Sequence, residues 1–232
     1  MTLSRWPIIE HREIRHTLLP ALKYKVTNAC PPVIDPIDVV FDRVLLLSTV
    51  RLTSGAELSV INVHLRAPLA TPIVGQKEAP FVWKSVSGWA EGFFISSLKR
   101  SAQALEARMM VDCLMDGDPH RHIVVAGDFN AADHETPLKI LIGAEEDTGN
   151  GRLGARSLVN LDRSLPNDRR FSVLHHGRPE MLDHILASRS LLAHFRSIEV
   201  HNETLADELV GYGKSRHPTA SYHAPLVAEF SD

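Results

Sequence analysis

Residues 122–130 read HIVVAGDFN. Its first five residues form an apolar run that predicts a buried β-strand. Alternate side chains of an extended segment share a face, so Asp128 and Asn130 are expected to point together out of the sheet, with Phe129 in the core. A carboxylate beside an amide can polarise a water molecule and hydrogen-bond a phosphoryl oxygen. The alternative is a strand-to-helix turn in which Asp128 and Asn130 cap backbone amides.

The sequence upstream predicts a hairpin and a long helix. VLLLSTVRL at 44–52 and LSVINVHL at 58–65 flank a Thr-Ser-Gly turn and predict two paired strands. The segment 66–94 is rich in Pro and Gly and predicts a loop with short helical pieces. Apolar residues then recur every three or four positions from Ile95 to Cys113, which predicts an amphipathic helix ending near Gly117.

The rest of the chain completes a layered architecture. A second helix is predicted to begin near Pro137, followed by a polar loop over 143–170. Three further strands are predicted, at 182–187, 195–200 and 224–230. This order predicts an α/β (α+β) layered sandwich, in which two mixed, mostly antiparallel β-sheets are flanked by helices. We expect residues 1–232 to form a single domain.

Composition excludes some classes of protein. The chain has 232 residues and a formal charge of −3, so it lacks the strong overall basic charge of many nucleic-acid-binding proteins. The two cysteines, Cys30 and Cys113, are too few for a disulfide framework and are expected to be reduced and buried. The N-terminus lacks the layout of a signal peptide, and no apolar run is long enough for a membrane span. We therefore expect a cytoplasmic protein.

Three further residues are candidates for chemistry. His64 ends an otherwise apolar strand, where a structural role is the alternative. Asp183 lies inside the apolar run LDHILA and needs a partner if it is buried, either an imidazole that it orients or an arginine. His223 opens the last predicted strand.

Taken in order, four motifs resemble the endonuclease/exonuclease/phosphatase superfamily, metal-dependent phosphoester hydrolases with a DNase-I-like fold. The motifs are VINVHL at 60–65, VVAGDFN at 124–130, MLDHILAS at 181–188 and SYHAPLVAEF at 221–230. The resemblance covers nearly the whole chain from about Leu3, and GDFN and the final Ser-x-His-x-Pro are its specific parts.

The resemblance implies a role for each candidate residue. Asp128 and Asn130 match the pair that holds the attacking water and a phosphate oxygen. Asp183 matches the acid that orients the terminal histidine, and His223 matches that histidine. His64 matches a histidine that acts near the leaving group. The implied cofactor is Mg²⁺ or Mn²⁺, and the implied partner is a phosphoester substrate.

Two departures from the family pattern concern the metal. Tyr222 stands where the family motif Ser-Asp-His has a metal-binding Asp, and a phenol is a poor Mg²⁺ ligand at neutral pH. MTLSRWPI at 1–8 resembles an internal strand of the family, so the first strands and their metal-binding Glu are expected to be absent. These departures predict an N-terminally truncated, impaired hydrolase that binds Mg²⁺ or Mn²⁺ weakly. The alternative is a catalytically inactive domain that binds a phosphate ligand or a protein partner.

The sequence leaves the substrate open among nucleic acid, a nucleotide-like or sugar phosphodiester, and a lipid head group. Trp83 and Trp89 are candidates for stacking on a base, or for closing over a core. Five basic side chains flank the motifs and are candidates for phosphate contacts or for solvated surface: Arg169, Arg170, Lys214, Arg216 and His217.

Overall fold

The structure is a computed structural model, and it describes residues 1–208 and 221–231. Its strands are β1 (Ile8–Ile14), β2 (Leu22–Tyr24), β3 (Ile37–Val39), β4 (Leu45–Arg51), β5 (Glu57–His64), β6 (Lys77–Ala79), β7 (Val82–Trp83), β8 (His122–Asp128), β9 (Leu158–Asn160), β10 (Val173–His175), β11 (Arg178–Glu180), β12 (Asp183–Ser188), β13 (Phe195–Val200) and β14 (Leu226–Phe230). Its helices are α1 (Val86–Gly117), α2 (Thr136–Ile142), α3 (Glu145–Thr148) and α4 (Arg189–Leu192), with 3₁₀ turns at Gly151–Arg156 and Leu161–Ser164.

A six-stranded mixed sheet organises the described residues, in the order β1-β4-β5-β8-β12-β9. The predicted hairpin is the antiparallel pair β4–β5. β5 and β8 run parallel, and α1 is the crossover that joins them. The remaining strands form two-stranded sheets: β2–β3, β6–β7, β10–β11 and β13–β14.

Both faces of the six-stranded sheet are covered. On one face, Ile123 and Val125 of β8 belong to a cluster with Ala107 and Val111 of α1. On the other face, Val124 belongs to a cluster that includes residues of β13 and β14. This alternation follows from the two-residue period of a strand, and it makes β8 the central element of the fold. The layered α/β architecture predicted from the sequence is confirmed.

The long helix α1 begins earlier than predicted. It begins at Val86 inside the segment expected to be a loop, and the Ser85 hydroxyl accepts a hydrogen bond from the Gly88 N–H as its N-cap. A glycine disfavours a helix interior, but a Cβ at Gly92 would lie 2.3 Å from the carbonyl oxygen of Thr71. The glycine therefore permits close packing of loop and helix, which outweighs its low helix propensity.

The buried face of α1 also differs from the predicted apolar stripe. Arg100, Gln103 and Glu106 are buried on it, whereas Leu105 is exposed and Cys113 lies outside the buried set. These polar residues can be buried because they form hydrogen bonds. A prediction based only on the spacing of apolar residues therefore missed this face. The expectation of buried thiols is wrong, since Cys113 and Cys30 are both exposed.

The polar segment 143–170 is more ordered than predicted. It contains α3, β9 and two 3₁₀ turns, and β9 pairs with β12 at the edge of the main sheet. These elements have three to six residues each, which is too short for a hydrophobic period to appear. In residues 1–208 and 221–231, no helix combines the length and the apolar character needed to cross a membrane.

Two buried carboxylates on α1 fasten the loops that follow β1 and β2. Glu106 accepts hydrogen bonds from the backbone N–H groups of His16, Thr17 and Leu18. Glu91 accepts backbone and side-chain hydrogen bonds from Thr27 and Asn28, together with one from the Tyr24 hydroxyl.

Burial alone would raise the pKa of Glu91, but its hydrogen bonds outweigh burial and lower the pKa to about 2. Because this is below the ordinary value of 4.5, the carboxylate stabilises the folded state fully above pH 4.5. That stabilisation is lost as the pH falls toward 2.

We predict that Glu91→Gln lowers the free energy of unfolding at pH 7 by about 2 kcal/mol, since a buried carboxylate that accepts several hydrogen bonds is lost. Urea unfolding at pH 7 and at acid pH would measure this. The gap between the two proteins should narrow as the pH falls. The matched control is Glu78→Gln, at an exposed position of β6. A gap that is equal at both pH values would contradict the role given to the Glu91 charge.

Candidate active site

Three candidate residues lie in one row across adjacent strands. His64 of β5 is the register partner of Asp128 of β8, and Asp128 is the register partner of Asp183 of β12. Register partners project from the same face of a sheet. The His64 Nε2 lies 3.4 Å from the Asp128 Oδ2. The ends of three strands thus bring together residues that are far apart in the sequence.

The turn after β8 brings Asn130 to the same place. The Asp128 carboxylate accepts hydrogen bonds from the Asn130 backbone N–H at 2.8 Å and from its side-chain amide at 3.0 Å. Asn130 has a φ of 47°, a left-handed conformation that Asn tolerates better than most residues. Phe129 between them is fully buried, as predicted. The alternative interpretation, a turn in which Asp128 and Asn130 both cap backbone amides, holds for Asp128, whose carboxylate accepts from a backbone N–H. The same turn places both side chains in the row.

His223 joins the row from the end of the chain. Its Nδ1 lies 2.7 Å from the Asp183 Oδ2, within the hydrogen-bond distance expected from the sequence. Ser172 ties the two segments together. Its hydroxyl accepts from the backbone N–H groups of Leu182 and Asp183, and its carbonyl accepts from Ala224. No sequence motif pointed to Ser172.

The four side chains differ in their access to solvent. The side chains of Asp128 and Asp183 are 16% and 19% exposed, while those of His223 and His64 are 36% and 52% exposed. The carboxylates therefore form the floor of the site and the imidazoles form its rim.

Charges and burial shift three of the pKa values. The hydrogen bond that His223 donates to the Asp183 carboxylate raises the pKa of His223, against a smaller effect of burial. Burial lowers the pKa of His64, and the charge of Arg43 lowers it further. Burial raises the pKa of Asp128, and the Asp183 charge adds to this. The two imidazoles of the site thus differ in pKa in opposite directions from the ordinary value, an arrangement suited to proton transfer.

The site contains a set of ligands for a divalent cation. Among the described residues, Asp128, Asp183 and His223 each offer one ligand atom, and these atoms lie within 4.8 Å of one another. Two carboxylates and an imidazole fit a divalent cation that keeps several water ligands. Asp128 also accepts hydrogen bonds from Asn130, and Asp183 pairs with His223, so both carboxylates already have partners.

A buried network on the opposite side of β12 supports the turn after β8. His184 follows Asp183, and its Nε2 lies 2.8 Å from the carbonyl oxygen of Ala131. Its Nδ1 lies 3.2 Å from Asp162, which also contacts Arg170 at 3.5 Å. The sequence did not single out His184 or Asp162, because a signal from a fully buried polar pair appears only in three dimensions.

The basic candidates for phosphate contacts and the tryptophan candidates for stacking do not join the row. Arg169 pairs with Glu203, and Arg170 pairs with Asp133 and Asp162, so acids in the protein already hold both guanidinium groups. Trp83 packs beside a small core cluster, and Trp89 stacks on Phe93 at 5.6 Å between ring centroids. Lys214, Arg216 and His217 lie outside the described residues.

A cavity of about 490 Å³ adjoins the row at Asn130. Its lining is both polar and apolar, and includes Phe93, Arg100, Glu135, His175 and Leu182. The cavity offers space beside the candidate residues for a bound small molecule.

We predict that Asp183→Asn lowers the pKa of His223 in metal-free protein, because the mutation removes the negative hydrogen-bond partner that raises it. An NMR titration of the imidazole signals would measure the change. Asp42→Asn is the control, because Asp42 is an exposed acid paired with Arg66 and Lys99. An unchanged His223 pKa in Asp183→Asn would show that the pair is not formed in solution.

The solved structures that are similar to this chain have low sequence identity to it. A mannosyl-6-phosphatase of Bacteroides thetaiotaomicron aligns with a TM-score of 0.53 and 14% identity, over 98% of this chain and 67% of that one. A 3′ phosphatase of Neisseria, bound to a product DNA hairpin, aligns with a TM-score of 0.44 and 20% identity, over 91% and 72%. A protein of Beutenbergia cavernae described as endonuclease/exonuclease/phosphatase aligns with a TM-score of 0.47 and 17% identity, over 97% and 45%.

The chain thus spans between 45% and 72% of the length of these three structures. None of the curated proteins matches the sequence. The sequence model of the Endonuclease/Exonuclease/phosphatase family matches residues 75–216, which is more than half of the chain. The match includes β8, the turn after it and β12, the elements that carry Asp128, Asn130 and Asp183. The chain belongs to the Endonuclease/Exonuclease/phosphatase family.

Proposed function

We propose that residues 1–232 form one phosphoester hydrolase domain whose active site is the row of His64, Asp128, Asp183 and His223 with Asn130 beside it. The observation that carries the proposal is the register of β5, β8 and β12, which brings His64, Asp128 and Asp183 together where these strands end. His223 is held against Asp183 by a hydrogen bond. Family membership supports the reaction type.

Each side chain has a task that its surroundings suit. His223 exchanges a proton with the attacking water, and Asp183 orients its ring and stabilises its charged form. Asp128 positions the water. The two N–H groups of the Asn130 amide donate to Asp128 and to the Leu65 carbonyl, and one of them would turn to a phosphoryl oxygen when substrate binds. His64 lies on the exposed rim beside Asp128, where its imidazole would contact the leaving oxygen.

A divalent cation would be held by the Asp128 and Asp183 carboxylates. When bound, Mg²⁺ or Mn²⁺ supplies positive charge that stabilises the phosphoryl oxygens in the transition state. We expect weak binding and low activity, because Tyr222 stands where the family motif has a third carboxylate. The alternative of an inactive binding domain has no observation in its favour among the described residues.

The cavity beside Asn130 is a suitable place for the alcohol portion of the ester. Its volume of about 490 Å³ fits a small organic group.

We predict that the chain hydrolyses bis(p-nitrophenyl) phosphate in the presence of Mn²⁺ and that Asp128→Asn lowers kcat by at least ~100-fold, because one group positions the water and holds the cation. Release of p-nitrophenol, with and without EDTA, would measure both effects.

Asp38→Asn is the matched control, since Asp38 is exposed on β3, outside the six-stranded sheet that carries the row. It should keep the wild-type rate. If wild type and Asp128→Asn hydrolyse the ester at equal rates that EDTA does not change, the row is not the active site.

We predict that Tyr222→Asp tightens Mn²⁺ binding at least ~10-fold, because it adds a carboxylate next to His223 in the ligand set. Isothermal titration with Mn²⁺ would measure the affinity. Tyr222→Asn removes the same ring without adding charge and should bind Mn²⁺ like wild type. Equal affinities in the two variants would mean that position 222 does not face the cation.

A further inference from the structure

A positively charged side chain that the family motifs did not indicate, Arg43, lies at the edge of the site. Arg43 is exposed in the loop before β4. Other arginines near the row are held by acids of the protein: Arg66 by Asp42, and Arg100 by Glu135. In residues 1–208 and 221–231, Arg43 has no carboxylate within ion-pair distance, so its charge is available to a ligand.

Arg43 is held close to the candidate catalytic residues. Its Nη1 donates to the Leu65 carbonyl oxygen at 3.1 Å, and the Asn130 amide donates to that same oxygen at 3.1 Å. Two donors on one oxygen at these distances lie no more than about 6 Å apart. Leu65 directly follows His64, so the guanidinium lies on the β5 side of the row.

The backbone of Arg43 is also fixed in place. Gln103, which is buried on α1, donates from its side-chain amide to the Arg43 carbonyl at 3.1 Å. The other end of the same amide accepts from the Arg66 backbone N–H at 2.9 Å. One side chain thus joins the loop before β4 to the loop after β5. This restraint reduces the conformational entropy that Arg43 would lose on binding a ligand.

We propose that Arg43 is a phosphate-binding residue, whose guanidinium holds the phosphoryl group of the substrate beside Asn130. This inference rests on the proposed function, and it assigns a binding residue that the motifs do not contain. A guanidinium has five N–H donors, and only one of them is used by Leu65. The remaining donors can bind phosphoryl oxygens in the forked geometry that Arg favours.

The charges of the site explain why such a residue is needed. Asp128 and Asp183 place two carboxylates on the floor of the site, and these repel a phosphate anion. A cation between the carboxylates would offset part of this repulsion. A guanidinium fixed on the rim offsets more of the repulsion between the carboxylates and the phosphate. It does so without a metal ion, at a site that offers few metal ligands.

The test measures the binding of inorganic phosphate by isothermal titration in the presence of EDTA. Wild type is compared with Arg43→Gln and Arg43→Lys. We expect Arg43→Gln to weaken binding about tenfold or more, since a charge-assisted, forked contact is lost. Arg43→Lys should recover only part of it, because an ammonium lacks the fork. Arg51→Gln is the control: it removes the same charge at the other end of β4, where Arg51 pairs with Glu57.

Hydrolysis measured on the same proteins separates this inference from the proposed function. If wild type binds phosphate through Arg43 but hydrolyses no ester, the proposed function fails and the Arg43 inference stands. If wild type hydrolyses ester and Arg43→Gln matches it in kcat, KM and phosphate affinity, the Arg43 inference is overturned and the function stands. Absence of phosphate binding by wild type at tens of millimolar would also overturn it. Urea unfolding of each variant checks that it is folded.

Discussion

The close approach of Gly127 to Val63 is the constraint on which the site depends. A Cβ at position 127 would lie 2.0 Å from the Val63 carbonyl oxygen, and Gly127 has a φ of 139°, so only glycine fits. This contact lets β8 end tightly against β5, with the Leu65 N–H donating to the Asp128 carbonyl at 2.9 Å. The resulting register places His64 beside Asp128. It also places the Leu65 carbonyl where it accepts hydrogen bonds from both Asn130 and Arg43.

Buried polar side chains hold the loops around this contact. On α1, Glu106 and Glu91 fix the loops after β1 and β2, while Gln103 joins the loops on either side of the β4–β5 hairpin. His184 supports the turn after β8 from the opposite side of the sheet. Because each group is buried and hydrogen-bonded, losing its partner would cost more than losing a surface contact. The apolar core positions the strands, and these polar groups position the loops that carry the chemistry.

The sequence was informative where strands and motifs are long. The β4–β5 hairpin, β8 and β12 appear as apolar runs. The Asp183–His223 pair was predicted because a buried acid needs a partner and because both residues lie in family motifs. The sequence was misleading for α1, where buried Glu91, Gln103 and Glu106 interrupt the apolar pattern. Arg43 carried no signal, because its position depends on a backbone carbonyl that is distant in sequence.

If this row of residues hydrolyses phosphoesters, it directs water to the phosphorus atom of the ester. Mass spectrometry of the products of hydrolysis in water enriched in oxygen-18 tests this. We expect the heavy oxygen in the phosphate product, with the alcohol keeping the original bridging oxygen. Heavy oxygen in the alcohol, or no turnover of a nucleic acid, a nucleotide-like or sugar phosphodiester or a lipid head group, would contradict the proposed role of the row.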